Sequence, residues 1–340
     1  MPHYMYVAVQ GDNKISVFTV DPQTGDLTPQ ADVSVPGGPF TMAISPDSRY
    51  LYAGCREVQQ IVSFQIDQAN GGLTQNGSVG VEAWPTYIAT DRKGKFVLSA
   101  YYQGAHVGVH PIGDDGSVGG APIEWLETAT GAHAMQTDPT NTYAFVPHIA
   151  GNGPNSIYQF RFDENTGHIS YNTPPSVEPV AFSGPRHFCF HPSLDVLYFS
   201  DEQGCSVTGY RLDTAQGTLA EFQTVTTIPE GFNERNTCSQ IQVAASGRFL
   251  FAPNRGHDSI ACFTVDTASG ELSSNGIVPS EARPNALCLG PGDRFIYSAG
   301  QDSGQMAIFS VDQQSGELSR AGTLPLGNGP GWISVTELPG

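Results

Sequence analysis

Apolar residues in this chain come in short runs cut by turn residues, and nowhere at the spacing of a long amphipathic helix. Runs such as Tyr6-Val7-Ala8-Val9, Phe96-Val97-Leu98 and Val196-Leu197-Tyr198-Phe199 are rich in β-branched and aromatic residues and are bounded by Gly, Pro, Asp or Ser, which predicts short strands. One alternating pattern closes on an Asp and recurs from end to end. It is Val17-Phe18-Thr19-Val20-Asp21 at its first appearance and Ile308-Phe309-Ser310-Val311-Asp312 at its last. The seven copies end at Asp21, Asp67, Gly113, Asp163, Asp213, Asp266 and Asp312, with spacings of 46, 46, 50, 50, 53 and 46 residues. In six of them a Gly stands four residues after the Asp, where a tight strand connection needs a residue with positive φ. The third copy, Gly113-Asp114-Asp115-Gly116, is one residue shorter and the least regular.

A second pattern lies between successive copies of the first: a turn such as Ser45-Pro46-Asp47-Ser48 or Asp138-Pro139-Thr140-Asn141, then an aromatic or aliphatic strand. It has six internal copies. The seventh is divided between Tyr6–Val9 at one end of the chain and Gly331-Trp332-Ile333-Ser334-Val335 at the other. Four short strands every 45 to 50 residues, with one unit completed by both termini, predict an all-β, seven-bladed β-propeller closed by N- and C-terminal strands that share one blade. Residues 1–340 are expected to form a single such domain.

Composition narrows the class of partner. Gly (39) and Pro (25) suit a turn-rich β protein, and 33 acids against 15 bases give a formal net charge of −18. At long range such a chain repels phosphate backbones and anionic lipid, so neither nucleic acid nor a membrane is an expected partner. Met1 is followed by no basic segment leading into a long apolar one, and a cytoplasmic protein is expected, as a monomer or a weak homo-oligomer. The cysteines (Cys55, Cys189, Cys205, Cys238, Cys262, Cys288) show no Cys-x-x-Cys spacing and read as reduced, mostly buried thiols, not as a metal site.

The hairpin around Gly184-Pro185-Arg186-His187 and Ser200-Asp201-Glu202-Gln203 indicates where chemistry would gather. Two antiparallel strands joined by a tight turn bring the residue entering the first and the residue leaving the second to one end. Arg186, His187, Asp201 and Glu202 are therefore expected on one edge of one blade. The same argument collects, from the other blades, Trp84-Pro85-Thr86-Tyr87, Gly131-Ala132-His133, Arg283-Pro284-Asn285, Arg56, Tyr101-Tyr102, Asn254-Arg255 and Gln301-Asp302 around the mouth of one channel.

At these residues the chain resembles the bacterial lactonase family of seven-bladed propellers, which includes a class of 6-phosphogluconolactonase and the carboxy-cis,cis-muconate lactonizing enzyme. The resemblance spans essentially the whole sequence. It is carried by Gly184-Pro185-Arg186-His187 with His191-Pro192, by Asn254-Arg255-Gly256-His257-Asp258-Ser259-Ile260, by Ala299-Gly300-Gln301-Asp302-Ser303, and by Gly329-Pro330-Gly331-Trp332. It implies catalytic roles for His133, Arg186, Glu202 and Arg255. Substrate contacts are expected from the neighbouring His187, Asn254, Gln301, Tyr87 and Tyr101. The implied activity is hydrolysis of an anionic sugar-acid lactone, 6-phosphogluconolactone above all, with no metal or organic cofactor. Either Glu202 or His133 would draw the proton from water, and the arginines would hold the oxyanion and the substrate's charge. Two other readings stay open on sequence: a carboxymuconate cycloisomerase using the same residues, and a non-catalytic interaction propeller. The chain also departs from the family pattern, with Asn285 where an Arg is usual and Gln240 where an acid is usual.

Overall fold

The computed structural model describes residues 1–339 and is built from seven antiparallel sheets arranged in sequence order. Six have four consecutive strands. In the first blade the innermost strand is the C-terminal Pro330–Glu337, paired along its length with His3–Val9, so the termini close the ring as the divided repeat predicts. Closure leaves no sheet edge waiting for a partner at the seam. The third blade, least regular in sequence, is also least regular in space: its third strand, His106–Pro111, is followed by an isolated bridge, Ile112 to Val118, and its outermost strand is only Glu124–Glu127. No helix among the described residues is long and apolar enough to cross a membrane.

The Asp-to-Gly turns explain why the repeat is so legible. Asp21 Oδ1 accepts hydrogen bonds from the backbone N–H groups of Gln23 and Thr24, and Gly25 N–H donates to Asp21 O, with Gly25 at φ +77°. The glycine has a second duty. A Cβ on Gly25 would meet the Phe295 ring of the seventh blade at 2.5 Å, and one on Gly71 would meet the Tyr4 ring of the first blade at 2.2 Å. Gly167 lies the same way on Phe96, Gly217 on Tyr143 and Gly316 on Phe249. Each of these turns is therefore a socket for an aromatic ring of the preceding blade. A side chain there meets both left-handed strain, about 1 kcal/mol, and a steric clash.

The turns of the second pattern use different acceptors for one job. Asp91 Oδ1 and Asp138 Oδ1 each accept two backbone N–H bonds, and His191 Nδ1 does the same for Ser193 and Leu194. His191 is thus a turn residue, remote from any chemistry. The six cysteines are unpaired, and all but Cys189 are buried.

Around the channel the inner strands of neighbouring blades are joined by side chains. Gln240 Oε1 accepts from Leu287 N–H, Gln242 Oε1 from Leu289 N–H, and Gln136 Nε2 donates to Phe188 O. Gln240 is thus a staple between the sixth and seventh blades.

Candidate active site

A register irregularity aims the functional side chains. In the fifth blade Pro185 pairs with Asp201 and His187 with Ser200, which leaves Arg186 as an extra residue, bulged out of the ladder. The same insertion follows Pro39, Pro284 and Pro330, placing Phe40, Asn285 and Gly331 at the equivalent point of their blades. In the fourth blade Ala132 bridges His148 while Gln136 pairs with Phe145, and His133 takes this place. A bulge of this kind bends the strand and redirects one side chain. The second ring of positions is the residue just after each second strand: Arg56 after Tyr50–Cys55, Tyr102 after Phe96–Tyr101, Glu202 after Val196–Asp201, Arg255 after Phe249–Asn254 and Gln301 after Phe295–Gly300.

These two rings meet at Glu202. Its Oε2 lies 2.8 Å from Arg186 Nε, 3.2 Å from Arg255 Nη2 and 3.8 Å from His133 Nε2. Arg186 Nε is close but not aligned for a hydrogen bond, and both it and Glu202 Oε2 are buried without an aligned protein partner. The contact is therefore an ion pair of charge proximity that leaves the carboxylate free to accept from another donor. Arg255 is oriented by Cys238 O, 2.9 Å from Nη2, and by Asn285 Oδ1, 3.3 Å from Nη1, while Asn285 Nδ2 donates to Gly331 O. Asn285 thus positions Arg255. Burial and the neighbouring Arg186 hold the imidazoles of both His133 and His187 well below the usual histidine range, so both are neutral at physiological pH. Burial, together with Arg255, pulls the Arg186 guanidinium down to about 9, and it remains charged at neutral pH.

Below the cluster His187, Tyr87 and Trp332, from three different blades, meet edge to face at 5.3, 5.6 and 5.9 Å between ring centroids. They close the channel. Beneath them lies a cavity of about 340 Å³ lined by Gln136, Gln240, Gln242, Cys189 and apolar residues, with no charged group. A second cavity, about 360 Å³, opens beside Arg255 on the upper side, between Arg235, Arg283, Asp258 and Asp302.

The structure brings His133, Arg186, Glu202 and Arg255 together and sets His187 and Tyr87 directly beneath them. It does not bring Tyr101 or Asn254 there. Both are the last residue of their second strand, one position before the funnel, and side chains alternate between faces. Tyr101 is fully buried against the Trp125 ring at 4.5 Å. Asn254 is fully buried among Thr227, Asn236 and Ser259, which satisfy its amide. Asp201 follows the same rule: Oδ2 accepts from Ser206 and Thr208, and burial pushes its carboxyl up to about 7. The residue that reaches the funnel from the third blade is Tyr102, edge-on to His133 at 5.6 Å and hydrogen-bonded to Asn152. Gln301 stands at the right place in the seventh blade, without a side-chain hydrogen bond among the described residues. Sequence reasoning collected Arg56 but gave it no role, and it proves to be the third arginine withdrawn from solvent at this mouth. No group of three or more His, Cys, Asp or Glu among the described residues is placed to hold a metal ion.

The chain is similar to known proteins along most of its length. Residues 10–335 match the family model described as lactonase, 7-bladed beta-propeller. The chain is 35% identical over 287 residues to a 6-phosphogluconolactonase of Pectobacterium carotovorum, and 30% identical to one of Cronobacter sakazakii, covering 84% of each partner in both comparisons. The periplasmic gluconolactonase of Pseudomonas aeruginosa superposes with a TM-score of 0.90 at 24% identity over the whole of both chains, which shows the shared fold. With its seven closed blades and the match along nearly its entire length, this chain belongs to the lactonase family of seven-bladed β-propellers.

Proposed function

We propose that the protein hydrolyses a sugar-acid lactone, 6-phosphogluconolactone to 6-phosphogluconate, at the Glu202 cluster. The observation that carries this reading is the single carboxylate oxygen set among two arginines and a neutral histidine at the mouth of a closed channel. The curated relatives are 6-phosphogluconolactonases and support the choice of lactone.

Opening a lactone requires a water stripped of a proton, a place for negative charge on the carbonyl oxygen, and a proton for the ring oxygen as it leaves. Glu202 Oε2 and His133 Nε2 lie 3.8 Å apart, close enough for one water beside them to hydrogen-bond to both, and Glu202 takes its proton as the water oxygen bonds to the carbonyl carbon. The arginines are fork-shaped donors of fixed charge, and they stabilise the oxyanion of the tetrahedral intermediate. When the bond from carbonyl carbon to ring oxygen breaks, Glu202 returns the proton to that oxygen. The products are a hydroxyl and a carboxylic acid, which ionises. Unpaired thiols fit a reducing compartment, and a cytoplasmic place of work belongs to this reading.

The test is Arg186→Ala and Glu202→Gln, each checked for folding by its melting curve. Each is expected to lose about 10²- to 10³-fold in kcat, the usual effect of removing a group that acts on the transition state. Full activity in both folded variants would reject the assignment.

A further inference from the structure

Three arginines are withdrawn from solvent, and all three stand in the two rings of funnel positions. Arg186 and Arg255 both contact Glu202. Arg56, across the channel in the second blade, contacts no acid among the described residues. Its guanidinium carbon lies 3.3 Å from the centre of the Phe40 ring and 5.2 Å from that of Trp84. An arginine held by its face keeps the edge, where its N–H fork lies, for a planar or tetrahedral anion. Arg56 Nε and Trp84 Nε1 are both buried donors with no acceptor. Two orphan donors side by side, one of them charged, are costly to a folded protein unless something absent from the apo chain accepts from them.

We infer that Arg56, laid on Phe40 beside Trp84, binds the phosphate that the substrate carries away from its lactone carbonyl. The inference rests on the lactonase reading and deepens it. It divides the funnel into two walls: the fourth, fifth and sixth blades open the ring, and the second blade holds the far end of the molecule. The charges agree. With His133 and His187 neutral, three guanidiniums against Glu202 leave two positive charges in excess in a protein of net −18. A phosphate monoester carries close to two negative charges at neutral pH. Burial without a counter-charge pulls Arg56 down to about 9, which a bound anion would reverse. The arginines of the neighbouring cavity are less suited. Arg283 is half exposed and already faces Asp302 at 3.6 Å, and Arg235 is exposed.

The experiment measures kcat/KM on 6-phosphogluconolactone and on unphosphorylated gluconolactone for the wild type, Arg56→Met, Arg56→Lys and Arg283→Ala, and the affinity of each for 6-phosphogluconate by titration calorimetry. Met keeps apolar volume on Phe40, and Lys keeps the charge should Met fail to fold. Arg56→Met is expected to lower the preference for the phosphorylated lactone at least tenfold, chiefly through KM, and to weaken 6-phosphogluconate binding by a similar factor. Arg56→Lys should fall between Met and the wild type. Equal losses on both lactones, an unchanged preference, or transfer of the whole effect to Arg283→Ala would overturn the inference. A wild type that accelerates neither lactone would instead reject the ring-opening reading. The Arg56-dependent binding of 6-phosphogluconate would still decide the phosphate site.

Discussion

The two walls of the funnel use the same residue type to opposite ends. On one wall Arg186 and Arg255 converge on a carboxylate, so their charge is partly answered and their geometry is fixed before substrate arrives. On the other wall Arg56 lies on a phenyl ring with its charge unanswered. A paired guanidinium is a preorganised donor for charge that develops during reaction, whereas an unpaired one has affinity in reserve for charge already present on the ligand. The difference arises from the bulge after each Pro: the extra residue is Arg186 in the fifth blade and Phe40 in the second. One backbone device thus presents a cation at one wall and a platform for a cation at the other.

The contrast can be broken most severely at the paired wall. Glu202→Gln removes both the proton acceptor and the counter-charge, and the loss of about 10²- to 10³-fold should fall equally on phosphorylated and unphosphorylated lactones. Stopped assays across both substrates check this. At the other wall the Arg56→Met loss should depend on the phosphate, as set out above. Asn285→Ala leaves Arg255 with Cys238 O and Glu202 but without its third partner, and a loss of less than about tenfold is expected, again shared by both lactones. The pH profile sharpens the picture further. Because His133 is held well below the usual histidine range, its protonation should cause no loss of activity as pH falls through about 6.5. A break near 6.5 would mean a solvated histidine and a different site.

The smallest effects come from the residues one position before the funnel. Burial pushes the Asp201 carboxyl up to about 7 in the folded chain, from an ordinary value near 3.8. The folded state therefore holds the proton more tightly, and this group costs stability increasingly as pH rises from about 4 to 7. Asp201→Asn should melt higher than the wild type at pH 8 and match it at pH 4, with little change in kcat. Tyr101→Phe removes a buried hydroxyl that has no partner and should leave both activity and melting temperature close to wild type.

These last residues also mark where the sequence stopped being readable. Blade number and closure were legible because the Asp-to-Gly turn repeats in letters, and the shared blade because its halves sit at the two ends of the chain. The Arg186 and Glu202 edge followed from hairpin geometry alone. Tyr101 against Tyr102, and Asn254 against Arg255, did not follow, because a pair of adjacent polar residues at a strand end differs only in which face each takes. That parity depends on how each second strand pairs with its neighbours, which no distinctive letters mark. Arg56 could be placed at the mouth, but its lack of an acidic partner among the described residues and its seat on Phe40 are facts of packing between residues sixteen apart. Gln240 and Asn285 looked like losses from a site. They are a staple between inner strands and a support for Arg255.

The most direct measurement is ring opening of freshly generated 6-phosphogluconolactone beside unphosphorylated gluconolactone, with the spontaneous rate subtracted, in the wild type and in Glu202→Gln. The account predicts rapid acceleration of the phosphorylated lactone by the wild type, weaker acceleration of the other, and loss of both in the variant. A wild type that leaves both lactones at their spontaneous rates, or a folded Glu202→Gln that retains full activity, would contradict it.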